Sequence, residues 1–205
     1  MTTTAEPVAK RRRREETRGR LVESALSVFA RHGYERATVD EIVRDAGYSK
    51  GAFYVHFESK EDLFWSMLEQ RIEAQQEALR QAIDASQTVA ANERRILEAI
   101  FALNRQDVSW PALFLEFAAH AGRNERVREK LAAMYERWHN FTVEMLRVGQ
   151  EAGHVRKDLD IPFMAAVTIA LVEGSLMQSR LAPPAMRLDK QVEPLAELLA
   201  RWVEA

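Results

Sequence analysis

The sequence of 205 residues predicts an all-α protein of about nine helices. Apolar residues recur every three or four positions along almost the whole chain, which is the spacing that gives a helix one buried face. Capping residues and glycine or proline breaks separate these stretches. No stretch shows the every-second-residue alternation that is typical of a half-buried strand. Because 47% of the residues are hydrophobic, the chain can bury a substantial core.

The composition excludes several classes of protein. The chain has no cysteine, which excludes disulfides, thiol nucleophiles and cysteine metal sites. The N-terminus has no apolar signal segment, and the longest apolar run, residues 165–172, is too short to cross a bilayer. We therefore expect a soluble, cytoplasmic protein with no membrane partner. Residues 1–60 carry net positive charge and the remainder net negative charge, so a polyanion would meet the first third.

The chain begins with a stretch that has two interpretations. We expect residues 1–14 to be a disordered basic tail. Its run KRRRR at positions 10–14 is either an arm that reaches DNA phosphates or the minor groove, or the solvated start of a helix. Leu21, Ala25 and Phe29 then share one helical face that ends at Gly33, which predicts a first helix that braces the next two.

Residues 38–60 predict two short helices joined by a tight turn. Thr38 and Glu41 have the spacing of a capping box before a helix over 39–46, and Gly47 supplies the left-handed conformation that ends it. Ser49 is the next N-cap, and the helix that follows, residues 51–54, is too short to be stable without packing on its neighbours. This helix-turn-helix fits the major groove of DNA.

The remaining stretches predict a larger helical bundle. Ser59 caps a long helix over 60–82, which a loop over 84–91 follows. The last two helices, 161–181 and about 193–203, are the expected homodimer interface, since two helices from each subunit would form a four-helix contact. The N-caps predicted for the helices between the loop and the last helix are Asn92, Ser109, Asn124 and Asp160.

A longer pattern covers residues 17–64. It comprises FARHGY at 29–34, TVDEI at 38–42, AG at 46–47, SKGAFYVHF at 49–57 and SKEDL at 59–63. This pattern resembles the N-terminal DNA-binding domain of the TetR family of bacterial transcriptional regulators. The resemblance implies a helix-turn-helix domain at 15–60 and a ligand-binding and dimerisation domain at 61–205. It also implies a homodimer that represses transcription until a small molecule binds.

The resemblance also implies roles for individual side chains. The chemistry agrees in part, because lysine can donate to guanine O6 and N7 and a tyrosine hydroxyl suits phosphate. For Tyr54 and His56 the alternative is packing inside the protein. The implied base-facing positions are Ser49, Lys50, Gly51 and Ala52, and the implied phosphate contacts are Thr38, Tyr54, His56 and Lys60.

Two enzyme-like patterns compete with this interpretation. The stretch GYSKG at 47–51 matches the nucleophile elbow of α/β-hydrolases, but that motif functions only between a strand and a helix. The histidines have no metal-ligand spacing, and no glycine-rich loop suits a phosphate. We therefore expect no enzyme, no metal and no cofactor.

The second part of the chain carries candidate ligand-binding residues. Its bulky side chains either line a cavity for an apolar or aromatic ligand or fill an ordinary core. Glu173 interrupts an apolar run, so it can contact a cationic or hydroxylated ligand, bond across a dimer interface, or bond near Gly174. The candidates are Phe101, Asn104, Trp110, Phe114, Phe117, Met134, Trp138, Phe141 and Glu173.

The sequence therefore predicts a sequence-specific DNA-binding regulator. We expect a homodimeric repressor that a small, largely apolar or aromatic ligand releases from a palindromic operator. Two other classes stay open. One is a DNA-binding regulator or architectural protein without a ligand, and the other is a helical protein-interaction module whose basic end binds an acidic partner.

Overall fold

The computed structural model describes residues 8–84, 86–106, 109–122, 124–182 and 186–205, and its described residues form nine α-helices. The all-α prediction is therefore confirmed. An isolated antiparallel bridge also pairs Val155 with Glu204. The helices are α1 Val8–Arg36, α2 Val39–Ala46, α3 Lys50–Tyr54, α4 Lys60–Ala82, α5 Val89–Gln106, α6 Trp110–Ala121, α7 Glu125–Glu151, α8 Ile161–Leu181 and α9 Leu188–Val203.

The chain divides into two compact units, one ending at Ile72 and the other beginning at Glu73. This division falls inside α4. The functional boundaries predicted from the sequence, 15–60 and 61–205, stay a proposal.

The start of α1 departs from the expected disordered tail. Residues 8–14 are helical, whereas residues 1–7 lie outside the described residues. Two ion pairs at i,i+4 spacing favour helix here, Arg11 with Glu15 at 3.8 Å and Arg12 with Glu16 at 3.1 Å. The predicted break occurs at Gly33, whose φ of 76° and ψ of 163° interrupt the helical conformation inside α1.

The first unit has an aromatic core. The ring of Phe64 on α4 lies 5.8 Å from that of Phe29 on α1 and 5.1 Å from that of Tyr34, all measured between centroids. Phe53 on α3 lies 5.6 Å from Phe57, and all five rings are buried. The short α3 is therefore held by packing, as a helix of its length must be.

Polar contacts fix α1 against α2. The hydroxyl of Ser24 lies 2.8 Å from the carbonyl oxygen of Ile42 and 2.9 Å from Oδ2 of Asp45. Nη2 of Arg31 donates to Oδ1 of Asp45 at 2.5 Å. The hydrogen bonds from Arg31 and Ser24 lower the pKa of the Asp45 carboxyl. Asp45 therefore stays ionised and joins the two helices at neutral pH.

The second unit is organised around the pairing of α5 with α9. Leu97, Ile100 and Phe101 on α5 are buried in one cluster with Ala196 and Leu199 on α9. Further clusters continue this core toward α7 and α8. They contain Val89, Val155, Met164, Ala200 and Val203 in one case, and Val143, Ile161 and Ala165 in the other.

Two predicted helix starts in this unit need correction. α5 begins at Val89 rather than Asn92, because Oγ1 of Thr88 accepts from the amide of Ala91 at 3.2 Å and caps the helix earlier. The Asn92 side chain instead contacts Asp84, accepting from its amide and donating to its carbonyl oxygen, each at 2.9 Å. Asn92 therefore ties α5 to the loop before it.

The last helix begins at Leu188 rather than near residue 193, and it contains Pro194. Proline lacks an amide hydrogen and costs the helix one hydrogen bond. Leu188 and Val192, before the proline, pack on the same cluster as Leu195 after it. This continuous buried face explains why the helix extends through Pro194.

α8 and α9 leave apolar surface uncovered. Phe163 and Leu181 on α8 are 67% and 76% exposed, and α9 adds the partly exposed Leu198 and Trp202. By length and composition alone α8 also qualifies as a membrane-spanning helix, a weak criterion that core helices of soluble proteins meet too. An uncovered apolar face of this kind is typical of an interaction site.

Candidate nucleic-acid interface

α2 is fixed at both ends by local hydrogen bonds. Oγ1 of Thr38 accepts from the amide of Glu41 at 3.2 Å, and Oε2 of Glu41 accepts from the amide of Thr38 at 2.9 Å. This is the predicted capping box. Hydrogen bonds from Thr38 lower the pKa of the Glu41 carboxyl, and Gly47 ends the helix with a φ of 73°. The Thr38 hydroxyl thus already has a partner within α2.

α3 begins one residue earlier than predicted, at Lys50. Oγ of Ser49 accepts from the amide of Ala52 at 3.1 Å and caps the helix. Ser49 follows α2 rather than a strand, so it lacks the setting of a hydrolase nucleophile. Of the described residues, no three His, Asp or Glu side chains are grouped so that they could hold a metal.

One face of α3 is buried and the other is open. Phe53 is buried, whereas Tyr54 is 56% exposed and Lys50 and Gly51 are also exposed. A Cβ added at Gly51 would contact Oγ of Ser49 at 3.6 Å, an ordinary separation. The fold itself therefore has room for a side chain at position 51. Tyr54 lies on the surface rather than in the core, and Ala52 is half-buried.

Lys50 has an acidic neighbour across the turn. Its Nζ lies 2.7 Å from Oδ1 of Asp40, in the first turn of α2. Both side chains are more than half exposed, at 58% and 54%. No local sequence pattern indicated this pairing.

Lys60 is placed differently from the expectation of a phosphate contact. Its ammonium donates to the backbone oxygens of Tyr34, Glu35 and Ala37 at 2.6, 3.1 and 2.9 Å. It also lies 4.6 Å from the centroid of the Tyr34 ring. Burial lowers the pKa of Lys60, although Glu35 and Glu41 oppose the shift. The structure thus gives Lys60 a role in joining α4 to the end of α1.

His56 lies beside basic residues of α1. It is half-buried, and burial followed by the charges of Arg14 and Arg18 lowers the pKa of its imidazole. Arg18 hydrogen-bonds the hydroxyl of Ser66, and its guanidinium lies 5.4 Å from the centroid of the Phe57 ring. Arg14 belongs to the basic run at 10–14 that the sequence indicated as a possible DNA-binding arm, whereas no sequence pattern singled out Arg18. Their i,i+4 spacing on α1 was the available signal.

The ligand candidates of the second unit are buried or half-buried, except for Glu173, which is exposed. The side-chain amide of Asn104 donates to the carbonyl oxygen of Ile100 at 2.9 Å. The buried candidates are Phe101, Trp110, Phe117 and Met134, and the half-buried ones are Asn104, Phe114, Trp138 and Phe141.

A polar pair joins α7 to α8 near one of these candidates. The hydroxyl of Tyr135 donates to Oε1 of Glu173 at 3.0 Å, and the Tyr135 ring lies 6.5 Å from that of Phe114 on α6. Partial desolvation raises the pKa of the Glu173 carboxyl, and the bond from Tyr135 opposes this. The sequence patterns indicated Glu173 and Phe114 but not Tyr135, because its partner is distant along the chain.

A second aromatic group lies on α7. The rings of Trp138 and Phe141 are stacked, with centroids 5.7 Å apart and planes 23° apart. The guanidinium of Arg80, near the end of α4, lies 4.9 Å from the centroid of Phe141. Four of the candidates thus fall into two contact groups, Phe114 and Glu173 in one and Trp138 and Phe141 in the other.

Two known families match successive parts of the chain. Residues 21–67 match the family described as bacterial regulatory proteins, tetR family. Residues 89–204 match the family described as BetI-type transcriptional repressor, C-terminal.

Individual relatives agree with these matches. The chain is 27% identical over 189 residues to the HTH-type transcriptional repressor DhaR of Mycobacterium sp. strain GP1, covering 92% of this chain and 91% of that protein. Its fold resembles the regulator FadR of Bacillus subtilis in complex with stearoyl-CoA, with TM-score 0.77, 20% identity and coverage of 89% and 97%. It also resembles a SmeT–triclosan complex, with TM-score 0.76, 24% identity and coverage of 93% and 92%. SmeT is a repressor from Stenotrophomonas maltophilia.

Proposed function

The chain belongs to the TetR family of bacterial transcriptional regulators, which bind DNA and are not enzymes, and from this premise we propose a specific mode of action. The protein is a homodimeric repressor that binds a palindromic operator through α3. A small, largely apolar or aromatic ligand in the second unit releases it. Its place of action is the cytoplasm, where its DNA target lies.

The observation that carries this proposal is the open outer face of α3. The helix is fixed from below by Phe53 and at its start by Ser49, so Lys50 and Tyr54 are presented on a rigid support. Gly51 lowers helix stability, and the fold leaves room there for a side chain. Glycine lets another molecule come close to the helix backbone. A base edge in the major groove would need such a close approach.

The remaining candidates have smaller roles. We propose that Thr38 and the amides at the two helix starts bind phosphates beside the groove and that Ser49 stays among the base-facing positions. The ammonium of Lys60 is engaged by three carbonyl oxygens, so we propose that it supports the module rather than binding phosphate. His56 is a further proposed DNA contact; in the free protein burial and the charges of Arg14 and Arg18 lower the pKa of its imidazole.

The proposed dimer uses the apolar face of α8 and α9. Phe163, Leu181, Leu198 and Trp202 are exposed there in a single chain, and a second copy would bury them symmetrically. A dimer of this kind would bind two half-sites about 34–36 Å apart, or a multiple of that spacing.

The proposed effector site lies between α6, α7 and α8. Phe114 and Tyr135 supply aromatic surface, and the Tyr135–Glu173 pair supplies one polar anchor, a combination that suits a mostly apolar ligand with a single polar group. The stearoyl-CoA and triclosan complexes of proteins with this fold support that class. Release requires that the ligand bind more tightly to the conformation that fits the operator poorly.

The test begins with selection of a preferred duplex from a random library. Fluorescence anisotropy at fixed salt then compares the selected duplex with a random one for the wild type, Lys50→Ala and Tyr54→Phe. We expect both variants to bind the selected duplex about tenfold more weakly. The matched control is Lys157→Ala, which removes an exposed lysine of the second unit. If neither variant differs from this control, α3 is not the recognition helix.

The effector is tested with the same duplex. Stearoyl-CoA and triclosan are the probes, and the readout is dissociation of the labelled duplex. We expect at least one to release it, and Tyr135→Phe to shift the half-maximal concentration. Operator binding that neither probe nor a screened apolar library affects would favour the alternative of a regulator without a ligand.

A further inference from the structure

The ion pair between Asp40 and Lys50 lies on the proposed DNA-binding face. Nζ of Lys50 and Oδ1 of Asp40 are 2.7 Å apart, and both side chains are more than half exposed. Exposed ion pairs contribute little to folding stability. The capping box of α2 is formed by Thr38 and Glu41 without Asp40. The fold itself makes only modest use of the carboxylate at position 40, as an acid in the first turn of α2, where the helix dipole favours negative charge.

A carboxylate on this face has an electrostatic cost for DNA binding. A phosphate that approaches Lys50 also approaches Asp40, and the two negative charges repel each other at short range. To bind a phosphate, the Lys50 ammonium would have to leave Asp40, and the Asp40 carboxylate would still repel that phosphate. A guanine edge is different, because O6 and N7 are neutral acceptors that attract an ammonium without carrying a full negative charge.

We infer that Asp40 is a specificity-determining residue that acts by positioning Lys50. It holds the ammonium away from general phosphate binding and leaves it available to a guanine edge in the correct register. The carboxylate therefore lowers affinity for random DNA more than affinity for the operator. This inference rests on the proposed function, because it requires α3 to enter the major groove.

The test uses the full-length protein and Asp40→Asn, which keeps the side-chain shape and removes the charge. Affinities for the selected and the random duplex are measured across a salt series. We expect affinity for the random duplex to rise about three- to tenfold, because one additional phosphate contact per subunit forms. The slope of log K against log salt should steepen by about 0.9 per subunit. Affinity for the selected duplex should rise less, so the specificity ratio falls.

A double-mutant cycle separates positioning from simple repulsion. In the Lys50→Ala background, Asp40→Asn should give a clearly smaller gain in affinity for the random duplex and leave the specificity ratio nearly unchanged, because no ammonium is left to release and only the repulsion of phosphate is relieved. An equal gain in that background would show that Asp40 acts by general charge or through the α2 dipole, and would overturn the inference. Glu23→Gln, which makes the same charge change at another exposed position of the first unit, is the control and should leave the ratio unchanged.

The outcomes also separate this inference from the proposed function. A wild-type protein that prefers no duplex over random DNA would contradict the proposed function itself. A wild type with a clear preference, combined with an unchanged ratio in Asp40→Asn, would contradict only the role of Asp40. Circular dichroism of each variant confirms that the helices are retained.

Discussion

Replacement of Lys60 by methionine distinguishes a structural lysine from a DNA-binding one. Methionine keeps an unbranched side chain of similar length and removes the ammonium. In the wild type that ammonium donates to the backbone oxygens of Tyr34, Glu35 and Ala37. All three belong to the end of α1 and the residue after it, where helical carbonyl groups lack partners within the helix. We therefore expect Lys60→Met to destabilise the first unit.

The size of the effect follows from the three contacts. A hydrogen bond that involves a charged group contributes about 1.5–3 kcal/mol when it is protected. Water competes here, because Lys60 is only half-buried and its bond to Glu35 is exposed. We expect a total loss of about 2–4 kcal/mol. With a urea m-value of about 2–3 kcal/mol/M for a chain of this size, the midpoint should fall by about 1 M.

The assay is urea denaturation followed by circular dichroism, at one protein concentration because dimerisation would add to stability. Hydrogen exchange at residues 34–37 supplies a local readout and should become faster in Lys60→Met. Lys50→Met is the control, since it removes an exposed lysine from the same unit. An unchanged midpoint with a shallower salt dependence of DNA binding would refute this argument and restore Lys60 as a phosphate contact.

Three further predictions concern a cap, a carboxyl and the proposed dimer face. Thr38→Ala should lower the free energy of unfolding by about 1 kcal/mol, and an unchanged urea midpoint would contradict the role of the capping box. Burial raises the pKa of Glu93 to about 7 from 4.5, so the wild type should lose stability as pH rises through that window. Glu93→Gln should therefore be more stable by up to about 3 kcal/mol at pH 8 and equal to the wild type below pH 4.5; a constant difference across pH would contradict this. Phe163→Asp should shift sedimentation equilibrium toward monomer, and a dimer of unchanged strength would exclude α8 from the interface.

Local sequence patterns were sufficient to predict the helix-turn-helix. The bounds of α2 and the residues of its capping box depend on neighbours within three positions, and the structure has them as predicted. The same holds for α4, predicted over 60–82. Asp160 and Asn124 likewise cap their helices through the amides of Phe163 and Val127. Short-range capping chemistry is thus sufficient where nothing distant competes with it.

Contacts between distant residues explain what the sequence missed. Lys60 bonds to carbonyl groups more than twenty positions away, and Asn92 bonds back to Asp84. The last helix is predicted from about residue 193, but the burial of Leu188 and Val192 extends it through Pro194 despite the missing hydrogen bond. The basic run at 10–14 is helical, which was one of its two interpretations, because Glu15 and Glu16 follow it at the right spacing for ion pairs. In each case the structure was determined by a contact with another residue, which the properties of a single residue in the sequence do not show.

The contacts of Ser24, Asp45 and Lys60 have a mechanical consequence for the first unit. They tie α1 to α2 and the beginning of α4 to the end of α1, so the unit lacks an internal joint along that path. A tilt of the first turns of α4 would then move α1 and α2 with it as one rigid group. If α3, which follows α2 after a short turn, moves with that group, regulation can act by reorienting the whole unit without reshaping the proposed DNA-binding face.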